Sequence, residues 1–303
     1  MATLYTHKTE NISKTWALMF VFFCVVIAVG WAIAAYYNSP GILALAVILA
    51  IGMNIFSYWF SDTIVIAMAG AKPATGPEYI ELNQVVENLC ITAGLPKPKI
   101  YIIPDPAPNA FATGRNATHA SVAVTSGLLS MMNRQELEGV LAHELSHIGN
   151  RDMIVSTVAV VLVGFVSLLS NFFLRSAMFG GGRDREERQN PVVAVLSIVL
   201  VILAPIIATL LQLAISRRRE FLADASGALL TRYPEGLASA LRKIGNYAQP
   251  MQTANTATAH LYISNPFGAQ AAKSFLTKLF STHPPIDERI TALLGDKNLT
   301  DLS

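Results

Sequence analysis

Two imidazoles and a carboxylate fall within one short stretch, His143-Glu144-Leu145-Ser146-His147. On a helix, side chains four residues apart share a face, so both rings can reach a single cation. A divalent metal held there makes water acidic enough to yield hydroxide near neutral pH, and the intervening Glu144 is placed to accept the proton. Histidines at this spacing also occur as ordinary helix-surface residues. With only six His in 303 residues, however, an accidental H-E-x-x-H is a rare event.

Two histidines leave a catalytic zinc centre one protein ligand short. Glu220, in Arg219-Glu220-Phe221-Leu222-Ala223-Asp224, is the best candidate for the third. The histidine helix leads into a long uncharged run at 153–174, and Glu220 follows the next such run. A membrane hairpin would therefore return the chain beside its starting point. Asp224 lies one helical turn after Glu220, where its carboxylate can hydrogen-bond a ligand histidine and fix the tautomer. The alternative is that Glu220 and Asp224 merely pair with Arg217, Arg218 and Arg219 at the membrane interface. Cys24 falls in an apolar span and Cys90 in an expected helix; neither reads as a zinc ligand, and the two suggest no disulfide framework.

The elements that must position these groups are largely membrane-embedded. The composition is 52% hydrophobic and 14% charged, with a mean hydropathy of +0.45, whereas about a quarter of the residues in a soluble domain are charged. A net charge of +2 without a basic run gives nucleic acid no surface to track. Spans are expected at 15–37, 41–60, 153–174 and 191–215. Lysines before and after the first hairpin, with none in its turn, put both flanks on the cytoplasmic side. The first span is too long for the apolar core of a signal peptide and is read as an uncleaved anchor. The second hairpin carries a conflict: Arg175, Arg183, Arg185 and Arg188 in its linker and Arg217 to Arg219 at its end all favour the cytoplasm. Either the linker is translocated despite its arginines or the hairpin is shallow; the length of both runs favours the first solution.

Between and after the hairpins the pattern is that of a water-soluble α+β unit. A helix from Glu78 should end near Gly94-Leu95-Pro96. Strands are expected at 99–103 and 120–125, the latter alternating small or polar with apolar residues as a half-buried or edge strand does, with 121–125 the candidate edge for pairing with substrate backbone. Asn133 is a plausible N-cap for the helix that ends in the histidines. Residues 246–266 are polar and turn-rich, either a lid or a solvated loop. Phe275, Leu276, Leu279 and Phe280 suggest a core-packed helix, and a final helix follows at 286–294. The organisation is then a membrane hairpin (1–62), the first part of a catalytic domain (63–152), a second hairpin (153–216) and the second part of the catalytic domain (217–303). The expected class is a membrane α+β protein, predominantly helical, with four transmembrane helices and a zincin-like catalytic domain holding a small β-sheet.

Three motifs in order, His143 to Asp152, Arg219 to Asp224, and Thr282-His283-Pro284-Pro285-Ile286-Asp287-Glu288-Arg289, together resemble the HtpX family of bacterial membrane zinc endopeptidases, relatives of the type I CAAX prenyl endopeptidases. The resemblance covers nearly the whole chain. It implies one Zn2+ per chain, held by His143, His147 and Glu220, with Glu144 as general base and Asp224 as a partner behind the ligands. It further implies that Asn109, Ala110 and Ala112 contact substrate, that His283 binds the scissile carbonyl oxygen, and that Asp152 and Arg289 give support. The family acts on damaged or misassembled membrane proteins at the cytoplasmic face of the inner membrane, so unfolded or membrane polypeptides and the bilayer are the implied partners. The rival readings are a prenyl-protein endopeptidase and a membrane scaffold with a structural zinc. The scaffold would normally use four ligands and favour cysteine.

Overall fold

A computed structural model describes residues 4–36, 38–162, 164, 217–255, 258–268 and 284–295. The linker arginines at 175–188, the expected spans beyond residue 164, the expected helix around Phe275 and His283 lie outside these residues. Two long helices, α1 (Leu4–Tyr36) and α2 (Pro40–Met68), form an antiparallel hairpin. Asn38, with φ 49, makes the turn, and Pro40 opens α2 at a position where its missing N–H costs nothing. The helices approach so closely that a Cβ on Gly30 would collide with that of Ala46. Within the hairpin, Asn11–Ala35 and Pro40–Met68 are long and apolar enough to cross a membrane, with mean hydropathies of 2.7 and 2.1. Trp16, Phe20, Trp31, Ile48 and Trp59 point outward from it, as side chains facing lipid would. α2 does not stop at Phe60, where the expected span ends. It continues to Met68, and Val65, Ile66 and Ala69 pack against Ile103, Phe111 and Tyr262 of the catalytic body.

The sheet has four strands: β1 (Lys72–Pro73), β2 (Lys99–Ile103), β3 (Ala110–Gly114) and β4 (Ala120–Thr125). Their spatial order is β1-β2-β4-β3, with β2 and β4 parallel and the outer pairings antiparallel. The expectation that 121–125 forms an edge is therefore overturned. β4 is paired on both sides, and the edge beside the site is β3. The small side chains of β4 are those of a strand buried on both faces rather than half-exposed. β3 escaped notice because Ala-Phe-Ala-Thr-Gly carries little strand propensity of its own.

Helices cover the sheet: α3 (Ile80–Ala93), closed by Gly94 at φ 63, then α4 (Ser126–Met131) and α5 (Arg134–Asn150). Asn133 caps α5 in a reciprocal box with Glu136, each side chain accepting from the other's backbone N–H. After the left-handed Arg151, α6 (Asp152–Leu162) occupies the first part of the expected third span and is by itself a short apolar helix. α7 (Arg217–Thr231), α8 (Pro234–Asn246) and α9 (Ile286–Leu294) complete the described helices. One apolar core, including Val140, Leu141, Leu145, Leu237, Leu241 and Ile290, joins α3, α5, α8 and α9 to the sheet. The class is mostly helical with a small mixed sheet.

Candidate active site

α5 and α7 cross at very short range, and glycine allows it. A Cβ on Gly227 would stand 2.9 Å from the backbone nitrogen of His143. This approach carries Glu220, one face of α7, onto the histidine face of α5. Nε2 of His143 and Nε2 of His147 are 3.2 Å apart. Glu220 sets Oε2 3.8 Å from the first and Oε1 3.5 Å from the second. Tetrahedral coordination with bonds of ~2.0–2.1 Å puts ligand atoms about 3.3 Å from one another. The three side chains thus fit a zinc ion without rearrangement of the fold, and among the described residues they form the His/Cys/Asp/Glu cluster able to hold a metal.

Behind each imidazole stands a carboxylate. His143 Nδ1–H donates to Asp224 Oδ1 at 2.9 Å, and His147 Nδ1–H donates to Asp152 Oδ2 at 3.1 Å. A carboxylate can only accept, so both rings carry the proton on Nδ1 and turn the Nε2 lone pair towards the common centre. Asp224 is held in turn by the fully buried Arg289, which also donates to the carbonyl of Ile263 at 3.1 Å.

Burial dominates the electrostatics. It lowers His143 to about 4, with Asp224 opposing and Arg289 and His147 adding to the shift. The ring is therefore a neutral donor of electron density. Burial would lower His147 as well, but Asp152, Glu220 and Glu144 outweigh it and raise the group to about 9. A dication among the same carboxylates replaces that proton. Glu144 is raised to about 7, mainly by burial and further by Glu220, against the lowering effects of His147, Arg289 and the Ala112 N–H that it accepts. It is a carboxylate poised to take and release a proton near neutrality.

His143, Glu144, His147 and Glu220 line one small cavity of about 40 Å3, together with Ala112, Asp152, Arg219 and His260. A larger recess of about 310 Å3 lies beyond Arg289 and Ile263 and holds none of the three ligands. Asn109 lines this recess rather than the small cavity. Its amide donates to the Ser264 carbonyl at 3.0 Å, and its oxygen accepts from the Ala110 N–H at 3.1 Å. The Ala110 carbonyl accepts from Ile263 N–H at 2.9 Å. From Met251 onwards the described part of the turn-rich stretch is not a solvated loop: Met251, Ala259, Tyr262 and Ile263 are buried, and Ile263 is tied to β3. His260 comes into the cavity on that stretch, its Nε2 3.3 Å from the Ser156 carbonyl. The sequence reading did not single it out, and a histidine among threonines and alanines carries no spacing signal.

An H-E-x-x-H helix, a glutamate from a later helix and a buried carboxylate base, set below two apolar helices, define a membrane metallopeptidase. Residues 78–297 match Peptidase family M48. The chain is 46% identical over 304 residues to a protease HtpX homolog of Caldanaerobacter subterraneus subsp. tengcongensis, with 98% of each chain covered. It is likewise 46% identical over 282 residues to the protease HtpX homolog of Pyrococcus furiosus, covering 92% of this chain and 94% of that one. The crystal structure of S. mikatae Ste24p shares the fold, with a TM-score of 0.50 at 18% identity, over 95% of this chain and 67% of that one. The chain belongs to peptidase family M48, a family of zinc-dependent metallopeptidases, and within it to the HtpX proteases. It is a membrane metalloendopeptidase acting on polypeptides.

Proposed function

We propose that this metalloprotease degrades damaged or misfolded membrane proteins at the cytoplasmic face of the bacterial inner membrane, using one Zn2+ per chain. His143, His147 and Glu220 are the ligands, and the observation that carries the reading is the convergence of the two imidazole Nε2 atoms and the Glu220 carboxylate, whose potential donor atoms lie within 4.8 Å of one another. Bound zinc supplies a Lewis acid that polarises the scissile carbonyl and acidifies water. Glu144, buried beside it, accepts the proton of the attacking water and passes it to the departing amine. Asp224 and Asp152 keep both imidazoles in the tautomer that exposes Nε2.

An extended substrate pairs with the edge strand β3 near Ala112, whose neighbour across the sheet is Val122. Ala110 and Asn109, bonded to Ile263 and Ser264, take part by fixing the start of β3 beside the substrate, and His283 supplies a donor to the oxyanion. Four spans, with the N-terminus and the site on the cytoplasmic side, deliver unfolded membrane segments to Glu144. The prenyl-protein endopeptidase reading draws on likeness of fold to Ste24p, and the scaffold reading on the metal cluster alone. The purified full chain in detergent should cleave casein and an unfolded membrane protein, lose this activity to a chelator and regain it with zinc. Cleavage confined to a prenylated peptide would replace the proposal with the first rival, and zinc binding without cleavage of any substrate with the second.

A further inference from the structure

Asn11 lies in the first membrane helix, yet only 2% of it is exposed. Burying an amide is unfavourable unless its donors and acceptor find partners. Those of Asn11 are all at the active site. Its Nδ2 donates to Asp152 Oδ1 at 2.7 Å and to the Asn150 carbonyl at 3.2 Å, and its oxygen accepts from Arg219 Nη1 at 2.9 Å.

The two charged partners flank the metal ligands. Asp152 uses its second oxygen for His147 Nδ1–H, and Arg219 immediately precedes Glu220 on α7. Arg219 Nη1 and Asp152 Oδ1 themselves stand 4.0 Å apart, and the amide of Asn11 bridges them, donor to the anion and acceptor from the cation. Two other polar side chains of the hairpin bond locally. Thr15 bonds the Asn11 carbonyl, and the Asn54 amide bonds the Ala50 carbonyl, each one turn back. Beyond Asn11, Met19 and Phe22 pack on Ile154, Val155 and Val158 of α6, so α1 and the helix that begins with Asp152 form one packed unit.

We infer that Asn11 is a positioning residue of the zinc centre: through Asp152 it aims His147, and through Arg219 it steadies the turn bearing Glu220. The first membrane helix is therefore part of the metal site and not only an anchor. The inference rests on the assignment of His143, His147 and Glu220 as ligands.

Its test is a double-mutant cycle on the full-length chain in detergent. Zinc affinity is read by competition with a chromophoric chelator, and the visible absorption of the cobalt-substituted protein reports ligand geometry. Partners that orient ligand histidines are worth roughly 10–100-fold in metal affinity, so Asn11→Ala should weaken zinc binding about tenfold and alter the cobalt spectrum. Asn11→Asp keeps the acceptor for Arg219, and with it the packing of α1, but loses the donor to Asp152; it should weaken binding as well. In an Asp152→Asn background the Asn11→Ala loss should shrink or vanish. Thr15→Ala should leave affinity and spectrum unchanged. Wild-type affinity and spectrum in either Asn11 variant, or an undiminished Asn11→Ala effect without the Asp152 carboxylate, would overturn the inference. Failure of the wild type to bind zinc, or unchanged binding in His147→Ala, would instead overturn the ligand assignment beneath it.

Discussion

Arg289 grips Asp224 with two parallel bonds, Nε to Oδ2 at 2.8 Å and Nη2 to Oδ1 at 2.6 Å, at the end of a line that runs from the guanidinium through the carboxylate to His143. Both partners are buried. Burial would raise the Asp224 pKa, but the bonds from Arg289 and His143 bring it down to about 2. The carboxylate is thus ionised under all working conditions and keeps His143 aimed.

Breaking such a pair from one side strands a buried charge, which costs about 3–5 kcal/mol. Arg289→Ala should lower the stability of the protein by that order and weaken its hold on zinc, as followed by denaturant unfolding and by metal content after chelator challenge. Arg289→Lys should not restore the wild type, because an ammonium cannot repeat the fork. A variant as stable as the parent would show that α9 does not depend on this contact.

Glu144 and Glu220 are both buried carboxylates at one cavity, yet their replacements should fail differently. Glu144→Gln should retain zinc and lose about 10²–10⁴-fold in kcat, the usual worth of a general base. Glu220→Ala should lose the metal first and activity as a consequence. Metal content measured beside peptide turnover tells them apart; a zinc-free Glu144→Gln protein would exchange the two roles.

Protons and zinc compete at His147. With its pKa raised to about 9, the ring is protonated below that pH, so zinc uptake should release a proton there and zinc affinity should climb with pH until about 9. Glu144 must be ionised to act; burial raises it to about 7 in the metal-free site, and a bound dication brings it down from there, so hydrolysis should rise with pH over a range below 7. Calorimetry in buffers of different ionisation enthalpy reads the first effect, and a pH–rate profile at saturating zinc the second. Absence of proton release near pH 7 would contradict the placement of His147 among Asp152, Glu220 and Glu144.

Gly227 is expected to be intolerant for a steric reason. A methyl group there meets the backbone of His143 at 2.9 Å and that of Ala142 at 3.2 Å, and neither can yield as a flexible side chain would. Gly227→Ala should force α7 away from α5, costing about 1–3 kcal/mol as overpacking does, and should spread the ligand triangle. Thermal unfolding and zinc retention should fall together. Gly52→Ala, a substitution into open space in α2, is the matched control.

What could be read from the chain without its fold is the part written at short range. The i, i+4 histidines, the cap at Asn133 and the helix stop at Gly94 depend on neighbours within a turn, and the bounds of the strands at 99–103 and 120–125 follow a local periodicity as well. Glu220 and Asp224 were within reach because uncharged runs follow the histidine motif and precede Arg217, a local pattern that suggests the chain returns to its starting point.

Tertiary structure alone decided the rest. Strand order depends on pairing between segments with no sequence mark of adjacency, which is why β4 lies inside the sheet and β3 at its edge. The grip of Arg289 on Asp224 and the bridge from Asn11 to Asp152 and Arg219 join residues separated by 65, 141 and 208 positions. No spacing rule reaches across such distances. The H-E-x-x-H motif determines which atoms can meet a metal, while the packing of α1, α7 and α9 around it determines how those atoms are held.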